Sequence, residues 1–182
     1  MAKDKKLFSK IRQNDHKSFI EAYDLYVDHI YRFIYFKVSD REEAHDLTST
    51  VFLKTWQFIQ NQAKEAKKFK TLKPLIYRIA RTSVIDYYRK RSPDISIEAF
   101  PDPKQDILDE DQDISIKIDN KLSFALIEKK LHYLKDEYKE IIIWRFLDQL
   151  SVKEIAQILD KKRANIRVLI HRALQSLKEL ME

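Results

Sequence analysis

The sequence of 182 residues contains no cysteine and no glycine. Without cysteine, the chain cannot form a disulfide, a thiolate metal site or a cysteine nucleophile. Without glycine, it cannot build the glycine-rich loops that cradle phosphates, so the Walker-type and dinucleotide-binding fingerprints are excluded. Hairpin turns that depend on glycine are missing as well. These absences exclude several classes of enzyme and favour an all-helical chain.

Long hydrophobic runs are also missing. No stretch approaches the roughly 18 apolar residues that a membrane-spanning helix needs. The N-terminus begins Met-Ala-Lys-Asp-Lys-Lys with no apolar run behind it, so no signal peptide is expected. The histidines are scattered, and no grouping of serine, histidine and acid can be argued. We therefore predict a cytoplasmic protein without membrane insertion, bound metal, cofactor or enzymatic activity.

Charge is distributed unevenly along the chain. The net charge is +6, but residues 92–119 hold nine acids and two lysines, which gives that segment −7 and leaves +13 for the remainder. Segregation of this size is typical of proteins that bind nucleic acid. Three of the four prolines also lie in the acidic segment, which favours a linker. We predict two helical domains, 10–91 and 120–182, joined by an acidic, proline-containing linker over 92–119.

The C-terminal third has the pattern of a helix-turn-helix. Ser151 and Glu154 have the spacing of a capping box, in which each side chain bonds a free backbone N–H of the first helical turn. A turn at 160–162 precedes a second helix with a basic outer face. That face carries Arg163, Asn165, Arg167, His171 and Arg172. Because Arg and Asn suit bidentate reading of guanine and adenine in the major groove, these residues are candidate DNA contacts.

The N-terminal half shows helical periodicity. Asn14-Asp15 predicts the cap of one helix, and Ser39 with Glu42 predicts a capping box at the start of a second. A third helix is predicted over about 74–91, since proline is favoured in a first turn.

A second basic region covers residues 62–91, with ten lysines and arginines and two acids. A loop or frayed segment is predicted at 61–71 within it. Four aromatic residues are interleaved: Phe69, Tyr77, Tyr87 and Tyr88. Basic groups neutralise phosphates and aromatic faces stack on unpaired bases, a combination that suits single-stranded or melting nucleic acid. The alternative is that the tyrosines belong to the core and the lysines to a solvated face.

Three segments, in this order and with an acidic linker before the last, resemble the sigma-70 family of bacterial RNA polymerase sigma factors, in its compact extracytoplasmic-function group. Residues 44–56 resemble the domain-two helix that docks on the polymerase clamp. Residues 76–90 resemble the helix that faces the minus-ten promoter element, and 151–177 resemble the domain-four helix-turn-helix that reads the minus-thirty-five element. The resemblance covers nearly the whole chain. It implies sigma domain 2 at 10–91 and sigma domain 4 at 120–182, both small and all-α.

The resemblance also implies a function and its contacts. A sigma factor binds core RNA polymerase, directs it to specific promoters and helps to melt the DNA to start transcription. The implied polymerase-docking residues are Asp46, Ser49, Phe52 and Trp56. The implied minus-ten contacts are Lys64, Lys67, Lys68, Lys70, Arg78, Arg81, Thr82, Asp86, Arg89 and Lys90. The loop around 64–71 is expected to capture an unpaired base.

The implied partners are core RNA polymerase, promoter DNA and, where one exists, an anti-sigma factor. We expect the protein to be monomeric when free of polymerase. The family usually has Gln, Trp and Asn where this chain has Ser49, Leu75 and Thr82, and Gly and Ser where it has Asp160 and Lys162. The missing cap at 162 should cost the recognition helix about 1 kcal/mol.

Two other functions are compatible with the pattern of helices. A stand-alone helix-turn-helix regulator would bind DNA without polymerase, commonly as a symmetric dimer on a palindrome. A helical adaptor would use both basic faces to bind acidic proteins, and its DNA affinity would lack a steep salt dependence. The basic first domain argues against the regulator, and the agreement of motif and charge argues against the adaptor.

Overall fold

The computed structural model describes residues 2–91 and 130–181, and the chain divides into an N-terminal and a C-terminal unit. Every regular element in these two ranges is helical, as predicted. Within them, no helix combines the length and the apolar character of a membrane span. The linker predicted at 92–119 and the start of the predicted second domain lie outside the described residues.

Residues 2–91 form five helices around one core. They are α1 (Ala2–Ile11), α2 (His16–Val38), α3 (Arg41–Asn61), α4 (Ala63–Ala66) and α5 (Leu72–Arg91). Helices α2, α3 and α5 pack against one another, and α1 packs on α2 and α5. Phe33 of α2 and Tyr77 of α5 are both fully buried, with 6.1 Å between their ring centroids. This packing fixes one face of α5 and leaves the other exposed.

Helix α1 is an addition to what the periodicity predicted. Its apolar residues Leu7, Phe8 and Ile11 are buried, and most of its other side chains are exposed. Three apolar residues among lysines make too short a stripe to be recognised as a helix from sequence. The burial of these residues against α2 and α5 supplies the stability that such a short helix lacks by itself.

The second predicted helix cap is wrong by one residue. Ser39 ends α2 in a left-handed conformation, with φ 57°, and its N–H donates to the Tyr35 carbonyl. Asp40 is the N-cap of α3, since its carboxylate accepts a hydrogen bond of 3.0 Å from the Glu43 N–H. Asp40 and Glu43 have the same spacing as Ser39 and Glu42, so the sequence offers two frames and only the fold selects one.

The first predicted cap is confirmed, because the Asp15 side chain accepts hydrogen bonds from the Lys17 N–H (3.0 Å) and the Ser18 N–H (3.4 Å). The hydrogen bond from the Ser18 hydroxyl, with the backbone N–H bonds beside it, holds the pKa of Asp15 below its ordinary value of 3.8. A depressed folded-state pKa means that the unfolded chain binds the proton more tightly. The cap therefore contributes fully above pH 3.8, and its contribution is lost as the pH falls through the lower folded-state pKa.

We expect the free energy of unfolding of Asp15→Asn to fall less steeply at acid pH than that of the unchanged protein. At neutral pH the variant should keep most of its stability, because Asn caps a helix about as well as Asp. Urea unfolding midpoints between about pH 2 and pH 6 would measure this. Asp24→Asn is the matched control, since Asp24 is an exposed acid on the same helix. If both variants changed the acid limb equally, the cap would not be the cause.

Left-handed backbone marks the ends of several helices. Among the described non-glycine residues, positive φ values occur at Asn14, Ser39, Gln149 and Asp160. Glycine usually takes such positions because it lacks the Cβ that clashes there. A chain without glycine must place other side chains in these turns, and Asn and Asp tolerate them best.

Residues 130–181 contain the C-terminal helices. They are α6 (Asp136–Ile142), the π-helix π1 (Ile143–Leu147), α7 (Val152–Leu159) and α8 (Arg163–Glu179). The apolar periodicity that begins at Asp136 runs on to Leu147, which would suit one continuous α-helix. Instead, the backbone widens at Ile143, whose carbonyl accepts a hydrogen bond of 2.9 Å from the Asp148 N–H. The consecutive residues Ile143 and Trp144 are both fully buried in this arrangement.

Candidate nucleic-acid and polymerase interfaces

The predicted helix-turn-helix is formed by α7, a turn and α8. The Glu154 N–H donates to the Ser151 hydroxyl oxygen (3.3 Å), and the Ser151 N–H donates to the Glu154 carboxylate (2.8 Å). The capping box is therefore complete. Helix α7 ends at Asp160 with φ 55°, and α8 begins after Lys162. Local side-chain capping at the start and a left-handed residue at the end set the length of α7.

The candidate DNA contacts of α8 lie on its solvent side. The opposite side is buried through Ile166, Leu169, Ile170, Ala173 and Leu177. Arg163, Arg167 and His171 are exposed and follow one another at four-residue intervals, which places them in one row. Arg172 is also exposed, whereas Asn165 is half-buried. The two arginines of the row carry the greater part of the exposed positive charge at the start of α8.

Lys162 occupies the N-cap position of α8 and makes no capping hydrogen bond through its side chain. Replacing it with serine should stabilise the protein by about 1 kcal/mol, because the hydroxyl can accept a hydrogen bond from a first-turn N–H. Urea unfolding followed by far-ultraviolet circular dichroism would measure the gain. Lys162→Gln removes the same charge without a good cap and should leave the stability nearly unchanged. An equal gain in both variants would instead indicate relief of repulsion between the lysine and the helix dipole.

The segment between α3 and α5 is non-helical over 67–71, as predicted within 61–71, and it is anchored in the core. Ala66, Phe69 and Leu72 are buried at three-residue intervals. The chain forms the short helix α4, and the Phe69 N–H then donates to the Ala66 carbonyl at 3.1 Å. The lysines before and between these anchors are exposed, namely Lys64, Lys67, Lys68 and Lys70. We call these four residues the lysine segment.

Helix α5 continues the basic surface. Its exposed residues include Arg78, Thr82, Arg89 and Lys90, and Arg81 and Asp86 are half-buried. Asp86 differs from the other predicted minus-ten contacts because it is acidic and lies near two cations. Its carboxylate is 4.0 Å from the Lys54 ammonium and 3.9 Å from the Arg89 guanidinium. A carboxylate repels phosphate, so Asp86 is better placed to orient these cations than to contact the DNA backbone.

The aromatic residues of this region do not form the predicted stacking surface. Phe69 and Tyr77 are buried, and the Tyr88 hydroxyl donates to the Lys37 carbonyl at the end of α2. Tyr87 remains half-buried, with the Arg91 guanidinium 5.0 Å from its ring centroid. For Phe69, Tyr77 and Tyr88 the alternative, a role in the fold, is the one that the structure supports.

The predicted polymerase-docking residues of α3 fall into two groups. Asp46 and Ser49 are exposed and Trp56 is half-buried, so all three can contact a partner. Phe52 is only 4% exposed, and its ring centroid lies 4.6 Å from that of Tyr23. The side chain of Phe52 joins α3 to α2, so the structure gives it a role in the fold, and its docking on polymerase stays a prediction.

Two exposed apolar side chains were missed by the sequence analysis. Ile20 on α2 is 61% exposed and Leu53 on α3 is 58% exposed. They lie beside the aromatic contacts between α2 and α3. The ring centroids of Phe19 and Trp56 are 5.0 Å apart there, and the ring of Tyr23 packs against that of Phe52. We call Ile20, Tyr23, Leu53 and Trp56 the apolar patch.

A sequence signal for Leu53 was its place about 200° around α3 from the buried Val51 and on the same side as Asp46. Contiguous exposed apolar surface commonly marks a site of protein–protein contact. The apolar patch is therefore a candidate docking surface next to Asp46 and Ser49.

Comparisons with known proteins agree with this organisation. Residues 22–93 match the family model "Sigma-70 region 2", and residues 124–177 match "Sigma-70, region 4", so the two models together cover about two thirds of the chain. The ECF RNA polymerase sigma factor SigW of Bacillus subtilis is 28% identical over 186 residues, which cover 96% of this chain and 95% of SigW.

Two solved structures share the fold. CnrH, in complex with the cytosolic domain of CnrY, has a TM-score of 0.69 at 15% identity, over 98% of this chain and 97% of CnrH. The sigma factor RpoE, in complex with the anti-sigma factor NepR from Bartonella quintana, has a TM-score of 0.62 at 21% identity, over 91% of this chain and 97% of RpoE. Both sigma regions are present in their order, and SigW matches along nearly its whole length. The chain therefore belongs to the sigma-70 family of RNA polymerase sigma factors, in its extracytoplasmic-function group.

Proposed function

We propose that this sigma factor divides its task among three surfaces. The apolar patch with Asp46 and Ser49 docks on core RNA polymerase. The lysine segment and α5 bind the minus-ten element, and α8 reads the minus-thirty-five element. The observation that carries the proposal is the presence, in one N-terminal unit, of an exposed apolar surface on α2 and α3 and an exposed basic surface on α5. A stand-alone DNA-binding regulator could use the apolar surface to dimerise, but its second exposed basic surface, on α5, would have no role in reading DNA through the helix-turn-helix.

Recognition of the upstream element is assigned to the start of α8. Arg163 and Arg167 lie one turn apart on the exposed face, with Asn165 between them in sequence. Paired donors of arginine match the two acceptors of guanine in the major groove. Arg172 lies further along the helix, where contact with phosphate is the better fit. The proposal thus separates two residues that specify sequence from one that adds affinity.

Opening of the minus-ten element is assigned to the lysine segment and α5. Ala66 and Phe69 lie among the four lysines in the sequence, and both are buried. The backbone that carries the charges is therefore held in place by the core. Fixed cations bind phosphates without the entropy cost of ordering a flexible loop. An unpaired base would then be held by this segment through its phosphate and base edge. Stacking on Phe69, Tyr77 or Tyr88 is not part of this proposal.

The remaining assignments follow from the family. We propose domain 2 at 10–91, together with α1, and domain 4 at 120–182, with the acidic stretch 92–119 as the linker. We propose that the chain acts by binding and that polymerase performs the chemistry. Its proposed place of action is the cytoplasm, where bacterial RNA polymerase works. An anti-sigma factor is proposed as a further partner, as NepR is for RpoE of Bartonella quintana. The free protein is proposed to be a monomer.

The deciding experiment is promoter-dependent run-off transcription with bacterial core polymerase, with and without this protein. Stable association with core and new start sites would support the proposal, and aligned start sites would give the promoter sequence. Binding to duplex DNA without affinity for core would favour the stand-alone regulator. Loss of both activities would leave the adaptor.

Leu53→Asp should reduce affinity for core polymerase by about tenfold or more, because a charge would be buried in the apolar patch at the interface. Titration of labelled core polymerase would measure the dissociation constant. Leu25→Asp is the matched control, since Leu25 is an apolar residue of α2 that is 39% exposed. It lies about 140° around the helix from Ile20. Equal loss in both variants would argue against docking through the apolar patch.

A further inference from the structure

Helix α1 contacts the start of α5 through the carboxylate of Asp4 as well as through its apolar residues. Asp4 Oδ2 accepts a hydrogen bond from the backbone N–H of Lys73 (3.3 Å), and Oδ1 accepts one from the Tyr26 hydroxyl (2.8 Å). Lys73 is the second residue of α5, so its N–H is one of the first-turn groups that have no partner within the helix. Asp4 therefore acts as an N-cap for α5, supplied from 69 residues away in the sequence.

The cap is held rigidly from several directions. Tyr26 belongs to α2, is 9% exposed, and holds the second carboxylate oxygen of Asp4. At the other end of α1, the Gln60 side-chain amide donates to the Ile11 carbonyl at 2.8 Å. Between these two contacts, α1 buries three apolar residues. Asp4 thus sits on a helix that is fixed to α2, α3 and α5, and its position is set by the fold.

The capped residue lies where the lysine segment joins α5. Lys70 is the last of the four lysines, and the buried Leu72 directly precedes Lys73. A hydrogen bond to the Lys73 N–H therefore fixes the backbone at the C-terminal end of the lysine segment. The negative charge is also favourable there, because a carboxylate at the start of a helix interacts well with the helix dipole.

We propose that Asp4 is a positioning residue for promoter opening. It holds the lysine segment and the first turn of α5 in the orientation that captures an unpaired base, and α1 is thereby part of the melting apparatus although it precedes residues 22–93, the range matched by the region 2 model. This inference rests on the proposed assignment of the minus-ten surface. Asp4 itself is partly buried and need not contact DNA.

The test compares Asp4→Ala, Asp4→Asn and Tyr26→Phe in holoenzyme assembled from full-length chain. A 2-aminopurine base in the minus-ten element of a duplex promoter reports unstacking on opening. Asp4→Ala should slow opening by about fivefold, the loss expected for one helix cap. Asp4→Asn should restore opening, since Asn accepts the same N–H bond, and Tyr26→Phe should give an intermediate rate. Asp28→Asn is the control, because Asp28 is exposed and has no hydrogen bond or ion pair to any described residue.

A template with a pre-melted minus-ten region separates positioning from general damage. Asp4→Ala should transcribe this template as the unchanged protein does, because no base has to be captured from the duplex. An equal defect on both templates, or opening at the unchanged rate on the duplex, would overturn the proposal. Hydrogen exchange of the first-turn amides of α5 tests the cap independently of polymerase, and slower opening without faster exchange would also overturn it. If the unchanged protein opened no promoter, the proposed function would fail, while the exchange result would still report on the cap.

Discussion

Trp144→Ala should destabilise the C-terminal unit by about 3–5 kcal/mol, the range for removing a large aromatic side chain from a core. Trp144 is fully buried and is the largest such side chain among the described residues. It lies in π1, and the Leu150 N–H donates to its carbonyl at 2.7 Å. The residue therefore contributes both its buried side chain and a backbone hydrogen bond that follows the π-helix. Urea unfolding of the full chain would show an early transition for this unit.

The matched control is Tyr133→Ala, because Tyr133 is an aromatic residue of the same unit that is 75% exposed. Its replacement should change the stability by about 0.5 kcal/mol or less. The unfolded C-terminal unit should also abolish dependence of transcription on the minus-thirty-five element, while the N-terminal unit still binds core polymerase. A Trp144→Ala protein as stable as the Tyr133→Ala protein would contradict the assignment of Trp144 to the core.

The double replacement Arg163→Ala and Arg167→Ala should weaken promoter-specific binding by about 2–6 kcal/mol, since each bidentate arginine–guanine contact is worth about 1–3 kcal/mol. Both side chains are exposed on one row of α8, so their removal leaves no cavity. Holoenzyme affinity would be measured on the promoter and on a version with the minus-thirty-five element scrambled. The double variant should bind these two DNAs with nearly equal affinity.

Arg172→Ala distinguishes sequence reading from charge. If Arg172 contacts phosphate, its loss should weaken binding to both DNAs alike and reduce the slope of log affinity against log salt by about 1. The double variant, in contrast, should lose the preference between them. A double variant that kept the full preference for the intact element would show that α8 reads the promoter through other residues.

The local features of this chain were predictable because their causes are local. The Ser151–Glu154 capping box forms as the three-residue spacing indicates. The basic residues of α8 lie on the exposed face because the apolar residues between them set a helical period. Charge segregation and order of motifs were sufficient to identify the family, since both are properties of the sequence itself.

Other features depended on which of two local choices the fold selects. Ser39 and Asp40 offer equivalent capping frames, and the end of α2 decides for Asp40. Phe52 and Leu53 are adjacent apolar residues of α3, and the fold buries Phe52 against Tyr23 of α2 while leaving Leu53 58% exposed. The anchoring of the lysine segment was not predicted, because its buried residues Ala66 and Phe69 are outnumbered by charged residues.

The sequence by itself determined the helical class, the helix-turn-helix, the basic surfaces and the family, because capping, periodicity and charge act over a few residues. The tertiary structure decided which apolar side chains of α2 and α3 are buried and which, such as Ile20 and Leu53, remain exposed. It also supplied contacts between distant residues, such as Asp4 with the Lys73 N–H and Tyr88 with the Lys37 carbonyl. Such contacts leave no spacing signal, since the partners become neighbours only when α1, α2 and α5 pack around the core and bring separate helix ends together.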